Sequence, residues 1–216
     1  TQLDVVVAHK GVLRWRIQTD GLAVHSSRPA LGNSAIYSMA RIVTALEKLA
    51  EQLQSPGQDH SQNHPLCGRP TLSVGTINGG ESVNIVPDRC VIEVDRRVVP
   101  GESFETILRE TRQWLSGQTN IDFKMLPPDT TCPPLLDRNN QSLAQSLTAI
   151  TRQNGANSQS VGVAFATHAP QFADEGIPTV VFGPGSIDQA HTKDEWIDIQ
   201  QMDQCSEILY DLVKRS

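Results

Sequence analysis

Cysteine, aromatic residues and long apolar runs are all scarce in this sequence. Only four of the 216 residues are cysteine, and no Cys-x-x-Cys pair or apolar signal segment is seen, which favours a reducing, cytoplasmic setting over a disulfide framework. Aromatic residues make up 5% of the chain, so the core must be mostly aliphatic. No apolar run approaches the roughly 20 residues of a membrane helix. A net charge of −6 without any basic stripe argues against a nucleic-acid surface.

The first half of the chain alternates between strand and helix patterns. Residues 3–8 form a short run that is apolar apart from Asp4, as in a buried strand, and residues 12–19 alternate between apolar and polar side chains. From Ser34 the apolar spacing changes to that of a long helix. Strands at 72–76 and 90–97, a helix from 102 to Gly117 and a strand at 121–126 follow. The order strand, helix, strand, strand, helix, strand predicts a ferredoxin-like sandwich.

The second half has an α/β pattern. Pro127-Pro128 and Pro133-Pro134 mark a boundary. They are followed by a helix from about Asn140, an apolar run at 161–166, a strand at 177–182 and a helix with a capping box at Asp198 and Gln201. This part is too small for a whole α/β domain. The predicted fold class is therefore α/β (α+β): residues 1–11 and 127–216 belong to one larger α/β domain, into which the ferredoxin-like residues 12–126 are inserted.

Arg97 and Asn84 flank the strand predicted at 90–97. The alternation puts Arg97 on the charged face, where a guanidinium could bind a carboxylate with two parallel hydrogen bonds, and it leaves Arg96 as an outer or structural arginine. Asn84 precedes the strand and could donate to a ligand oxygen. A solvated charge at a strand end is the alternative interpretation of Arg97.

Three stretches together resemble one family. GTINGGESVNIVPDRCVIEVDRRVVPG, GLAVHSSRPALGNSAI and GPGSIDQAHTKDEW are similar to segments of the di-zinc aminoacylase and carboxypeptidase family. That family includes acetylornithine deacetylase, succinyl-diaminopimelate desuccinylase and carboxypeptidase G. The resemblance covers nearly the whole chain, but the family's catalytic half begins before the position of Thr1. We therefore expect a piece of a longer enzyme of amino-acid metabolism that lacks the N-terminal catalytic part and is inactive alone.

The resemblance assigns chemistry to two histidines. His191 follows a Gly-Pro-Gly turn and, by the resemblance, binds one of two zinc ions, although cobalt or manganese could replace zinc. Without the resemblance, a loop histidine beside an acidic turn is the simpler interpretation. By the same resemblance, His25 stabilises the oxyanion in the active site of a partner subunit, which implies a homodimer formed through the ferredoxin-like domain. The alternative for His25 is a loop residue near a helix cap.

Further residues are implied as contacts of an N-acyl amino acid substrate. The resemblance makes Arg97 and Asn84 ligands of the substrate carboxylate, and makes Gly183 and Gly185 a backbone wall near it. Thr167 and His168 are the remaining candidates. Related deacetylases usually carry an acidic residue at the position of His168, so this residue either contacts substrate or caps a helix.

Two hypotheses follow for the chain. In the first, it belongs to a metal-dependent amidohydrolase of N-acyl amino acids. In the second, it is a non-catalytic dimerisation module or a degenerate relative without a metal site. His60, His64 and Cys67 have a spacing that could suggest a metal site, but we interpret them as a solvated loop.

Overall fold

A computed structural model describes residues 1–55, 63–190 and 192–215. Within these residues, fourteen elements follow one another. The strands are β1 (Val5–His9), β2 (Gly11–Asp20), β3 (Thr71–Gly79), β4 (Arg89–Val98), β5 (Lys124–Met125), β6 (Thr130–Cys132) and β7 (Ser160–Val163). The helices are α1 (Ala35–Gln54), α2 (Phe104–Gln118), α3 (Gln141–Gln153), α4 (Ala169–Asp174) and α5 (Ile199–Arg215), with short 3-10 helices at Pro29–Leu31 and Ile187–Gln189. None of the described helices is long and apolar enough to cross a membrane.

The chain divides into two compact units. One contains Thr1–Lys10, Pro65–Cys67 and Pro134–Ser216, and the other contains Gly11–His64 and Gly68–Pro133. We call them the α/β unit and the sheet unit. The sheet unit extends beyond the predicted boundary at residues 126/127, because β6 pairs with β2 after Pro127-Pro128.

The sheet unit has the predicted ferredoxin-like topology. Its strands lie in the order β3-β4-β2-β5, with β6 also pairing with β2, and these four pairings are antiparallel. Alternation along β2 buries Leu13, Trp15 and Ile17. These side chains pack with the buried faces of α1 and α2 in one cluster. The predicted helix start at Ser34 is confirmed, since its hydroxyl accepts a hydrogen bond from the Tyr37 N–H at 3.4 Å.

The last strand of the sheet unit is shorter than predicted. Instead of a strand over residues 121–126, β5 and β6 are two short pieces that follow β2 along one edge. Pro127 and Pro128 have no N–H to donate, so the ladder is interrupted there. The prediction that Gly117 ends α2 was also wrong, because the helix continues to Gln118 and Thr119 is its C-cap.

The α/β unit contains a parallel pair of strands, β1 and β7. The predicted strand at 177–182 is wrong: the segment makes one antiparallel bridge, in which Val6 and Val181 exchange two backbone hydrogen bonds of 2.9 and 3.0 Å. Pro178 removes a donor from the run, which limits ladder pairing. The capping box is half formed. Asp198 accepts from the Gln200 N–H at 2.8 Å, whereas Gln201 accepts from the Gly185 N–H at 3.0 Å.

Candidate active-site residues

Two loops of the sheet unit bring His25 and Asn84 together. The Ser26 N–H donates to the Asn84 carbonyl at 2.9 Å and the Val86 N–H donates to the Val24 carbonyl at 2.8 Å. His25 and Ile85 form the bridge between the two loops. A cavity of about 880 Å³ adjoins this pairing and is lined in part by Ser26 and Ile85. Residues 59 positions apart in the chain thus share one surface beside a cavity that could hold a ligand.

The hydrogen bonds of His25 fix its tautomer. The Ser27 N–H donates to Nδ1 at 3.2 Å, so Nδ1 is an acceptor, and the Ser27 hydroxyl lies 2.8 Å from the same nitrogen. A neutral imidazole that accepts at Nδ1 carries its proton on Nε2. The side chain is exposed. It can therefore donate from Nε2 to an oxygen of a bound molecule.

Asn84 is also oriented by a neighbour. Its amide oxygen accepts from the Ser82 hydroxyl at 2.6 Å. Because the oxygen is engaged in this way, the amide nitrogen is directed to the other side of the group and can donate to a ligand oxygen. His25 and Asn84 thus present two donors from neighbouring loops.

Arg97 lies near the other end of β4. It is on the polar face, and its Nε donates to Asp95 Oδ1 at 2.9 Å, while Arg14 Nε donates to Asp95 Oδ2 at 2.7 Å. A guanidinium has five N–H donors, so this single bond orients Arg97 and leaves it able to bind a carboxylate through its Nη groups. The Arg97 side chain is 33% exposed.

Arg96 is a structural arginine, as one of its two predicted interpretations required. Its Nη2 donates to Glu102 at 2.7 Å, and the two side chains are 4% and 5% exposed. Burial lowers the pKa of Arg96 and raises the pKa of Glu102, although each partner's charge opposes the shift of the other. The pair thus belongs to the core of the sheet unit.

In the α/β unit, Thr167 and His168 follow β7. The Thr167 hydroxyl accepts from the Ala169 N–H at 3.1 Å at the start of α4, so Thr167 supplies the side-chain cap. His168 occupies the N-cap position without a side-chain cap hydrogen bond, and it is exposed. The interpretation of His168 as a helix cap therefore fails for its side chain, which makes no cap hydrogen bond. Contact with substrate stays a prediction.

The Gly183–Gly185 turn is tied to the N-terminal residues of the chain. The Thr1 hydroxyl accepts from the Gly183 N–H at 3.2 Å, and the Gln2 N–H donates to the Gly185 carbonyl at 2.8 Å. Gly185 has a φ of 76°, a conformation that glycine adopts without strain. The turn is held in place by these bonds, and its role as a wall beside a substrate stays a prediction.

His9 is a residue that the sequence analysis did not select. It is fully buried at the end of β1, and its Nε2 lies 3.0 Å from the Thr167 hydroxyl. Burial lowers the pKa of His9, which favours the neutral ring. A polar residue at the end of an otherwise apolar strand run is the signal that could have identified it.

His60, His64 and Cys67, whose spacing could suggest a metal site, differ in their surroundings. His60 lies outside the described residues, while His64 exchanges backbone hydrogen bonds of 2.8 and 3.1 Å with Gly68. Cys67 is buried, and this burial raises the pKa of its thiol to about 11. The expectation of a solvated loop is therefore wrong for Cys67, which packs in the α/β unit.

The fit to a metal ion can be tested on the side chains of residues 1–55, 63–190 and 192–215. There, no three His, Cys, Asp or Glu side chains form a group that could hold a metal ion. His191, the predicted zinc ligand, lies outside the described residues. The described residues alone therefore do not fit a metal centre, since a catalytic zinc needs about three protein ligands.

Comparisons with known proteins agree on one family. The family model described as a peptidase dimerisation domain matches residues 7–121. Acetylornithine deacetylase of Vibrio cholerae is 32% identical over 97% of this chain and 54% of the relative. Acetylornithine deacetylase of Yersinia pseudotuberculosis is 33% identical over 99% of this chain and 53% of the relative. The chain thus spans about half the length of these relatives.

Solved structures show the same fold at low sequence identity. Aminopeptidase PepT of Bacillus cereus is 19% identical, with a TM-score of 0.73 over 98% of this chain and 53% of that one. An M20 family metallo-carboxypeptidase of Sulfolobus solfataricus is 17% identical, with a TM-score of 0.72 over 98% of this chain and 59% of that one. With a family model that matches more than half of its residues, this chain belongs to the M20 peptidase family.

Proposed function

We propose that the chain is part of a metal-dependent amidohydrolase that cleaves the amide bond of N-acyl amino acids, as an acetylornithine deacetylase does. The names of the relatives at 32–33% identity support this reaction class. The observation that carries the proposal is the tautomer of His25. With Nδ1 accepting from the Ser27 N–H, Nε2–H is a preoriented donor for the oxygen of an attacked amide carbonyl.

His25 would act on charge that develops during the reaction. Attack on the acyl carbonyl turns its oxygen into an oxyanion, and a fixed N–H donor binds this anion more strongly than it binds the ground-state carbonyl. One such donor typically lowers the activation free energy by about 3–4 kcal/mol. His191 is this chain's candidate metal ligand.

Asn84 belongs with His25 rather than with Arg97. Asn84 precedes β4, whereas Arg97 is the ninth of the ten residues in Arg89–Val98. At about 3.3 Å per strand residue, the two ends of this strand are roughly 25–30 Å apart. One small substrate cannot reach both residues of a single chain. We propose that His25 and Asn84 act together in the partner's active site, while Arg97 binds the substrate carboxylate in its own.

Mixing two inactive variants of the full-length enzyme tests this arrangement. His25→Ala and Arg97→Ala homodimers should each be strongly impaired. A mixed dimer should regain activity, because one of its two sites then combines an intact Arg97 with the partner's intact His25. If His25 and Arg97 both acted in the active site of their own chain, neither site of the mixed dimer would be complete. Mixing would then restore no activity.

The role of Arg97 is tested by steady-state kinetics. Loss of a charge-assisted hydrogen bond costs about 1.5–3 kcal/mol, so Arg97→Ala should raise KM roughly tenfold to hundredfold with a smaller change in kcat. Arg16→Ala is the control, because Arg16 lies on the same sheet and its side chain is 46% exposed. Unchanged kinetics of Arg97→Ala would refute the proposal that Arg97 binds the substrate carboxylate.

A second function, dimerisation, is supported by the family match to a peptidase dimerisation domain. In the sheet unit β3 is an edge strand, and an edge strand can pair with its copy across a two-fold axis. We propose that the sheet unit is the dimerisation and lid domain and that the 216-residue chain is a homodimer without hydrolase activity of its own. Light scattering should give twice the chain mass of 23.6 kDa. A monomeric mass, or turnover of an N-acyl amino acid by this chain alone, would contradict it.

A further inference from the structure

The imidazole of His9 is a buried polar group that needs partners on both nitrogens. All five residues of β1 are buried, and His9 is the last of them. Burying a polar group without hydrogen bonds is costly. The contacts of its two nitrogens therefore show what the side chain holds in place.

The contacts of Nδ1 determine the tautomer. Nδ1 lies 2.9 Å from the Lys10 carbonyl oxygen, which can only accept, so Nδ1 carries the proton. The Leu135 N–H approaches Nδ1 at a longer 3.4 Å, but it donates to the His9 carbonyl at 3.1 Å. Nε2 of the neutral ring is then an acceptor.

Nε2 accepts from Thr167. The Thr167 hydroxyl lies 3.0 Å from Nε2, and the Thr167 N–H points to the same nitrogen at 3.3 Å. Because the hydroxyl hydrogen is directed at Nε2, the lone pairs of the Thr167 oxygen remain for the Ala169 N–H, 3.1 Å away. One chain of hydrogen bonds thus runs from the end of β1 to the start of α4.

The hydrogen bond of Ala169 is one of the contacts that fix the start of α4, where Ala169 and Pro170 are also buried. Pro170 is in the first turn of this six-residue helix and has no N–H to donate. The Ala169 N–H is therefore a main attachment point for the segment from Thr167 to Ala169, and its partner is oriented by His9. His168, between them, is exposed and has no side-chain cap hydrogen bond.

We propose that His9 is a positioning residue for substrate recognition: it holds the Thr167 hydroxyl, and through it the segment Thr167–Ala169, in one conformation. This inference rests on the prediction, made from the sequence, that Thr167 and His168 contact the substrate. His9 itself touches no substrate. Its effect passes through the hydrogen bond to Thr167.

The positioning step is tested on the 216-residue chain by NMR. The ring nitrogen shifts of His9 should show a proton on Nδ1 and none on Nε2. His9→Asn, which has no group in place of Nε2, should speed hydrogen exchange of the Ala169 amide about tenfold, the effect of one ordinary hydrogen bond. His9→Gln, whose amide oxygen can replace Nε2, should restore most of the protection.

Thr167→Val removes the same bond from the other side, together with the acceptor of the Ala169 N–H, and gives a result even if His9→Asn does not fold. It too should speed exchange of Ala169. Thr151→Val is the matched control, because it removes another buried hydroxyl of the α/β unit, which donates to the Leu147 carbonyl at 2.8 Å. It should leave Ala169 exchange unchanged. A proton on Nε2 of His9, or unchanged exchange in Thr167→Val, would overturn the positioning role.

Kinetics of the full-length enzyme then test the link to substrate. His9→Asn and Thr167→Val should each lower kcat/KM about tenfold, mainly through KM. The double variant should lose no more than Thr167→Val alone, because Thr167→Val already removes the bond that His9→Asn breaks. Faster exchange with unchanged kinetics would refute the substrate role of Thr167 and His168 and leave the hydrogen-bond chain intact. Impaired kinetics without faster exchange would refute positioning by His9.

Discussion

Removing Glu102 should destabilise the sheet unit more than any exposed substitution. Its carboxylate accepts from Arg96 Nη2 at 2.7 Å and from the Val99 N–H at 2.8 Å. The residue closes the turn after β4, where the Glu102 N–H donates to the Val99 carbonyl and Gly101 has a φ of 98°. Glu102→Ala would leave a buried guanidinium without its ion-pair partner and the Val99 N–H without its acceptor.

The magnitude follows from these two bonds. A hydrogen bond to a charged group contributes about 1.5–3 kcal/mol, and an orphaned buried donor costs about 1–3 kcal/mol. Breaking a buried ion pair on one side typically costs about 3–5 kcal/mol in total. Urea unfolding of Glu102→Ala should therefore show a loss of this size in the free energy of unfolding. The corresponding fall in Tm is roughly 10–20 °C for a domain of this size.

Two further variants separate the charge from the hydrogen bonds. Glu102→Gln keeps an acceptor for Val99 and should be less destabilising than Glu102→Ala. Combining Arg96→Met with Glu102→Gln removes both charges and should recover part of the stability, because the unpaired buried cation is gone. Arg109→Gln is the control, since that side chain is 64% exposed. A loss below about 1 kcal/mol for Glu102→Ala, the range of exposed pairs, would refute the reasoning.

Three other predictions concern a titrating core residue and two glycines. Burial lowers the pKa of His9 below its usual 6.5, so stability from this residue is complete above about pH 6.5 and is lost as the pH falls towards the folded-state pKa. Unfolding free energies from pH 7.5 to 5 should show a smaller slope in His9→Gln, and an equal slope would contradict this. Gly117→Ala in α2, where an added Cβ meets no atom within 4 Å, should stabilise by about 0.5–1 kcal/mol. Gly21→Ala should lower the Tm, because its Cβ would lie 2.1 Å from the Asn33 carbonyl oxygen. An unchanged Tm would show that the backbone around Gly21 can move to make room for the methyl group.

The sheet unit could be predicted because its local patterns agree with one another. The alternation along β2 and the 3.6-residue spacing of α1 each specify an element without any long-range information. The order of elements then leaves few topologies. The one charged residue on the apolar face of β4, Arg96, is explained by Glu102, a partner six positions away.

The errors arose where proline or long-range contacts determine the local structure. Pro178 lies within an apolar run that reads as a strand, and the structure gives that run a single bridge to Val6. Pro127-Pro128 looked like a domain boundary because prolines often mark linkers, yet an edge strand tolerates them. His9 was missed because its partner Thr167 is 158 positions away, and no local pattern connects the two.

The candidate site, too, could be predicted only as far as local information reaches. The candidate residues came from motifs, but the grouping of His25 with Asn84 depends on the pairing of the loops around them. The separation of Asn84 from Arg97 needed only the length of β4, ten residues, multiplied by the rise of a strand. A strand with the proposed oxyanion donor beyond one end and the proposed carboxylate ligand near the other is too long for one substrate. If both residues serve the same reaction, two copies of the strand must contribute to each site, and dimerisation becomes a condition for catalysis.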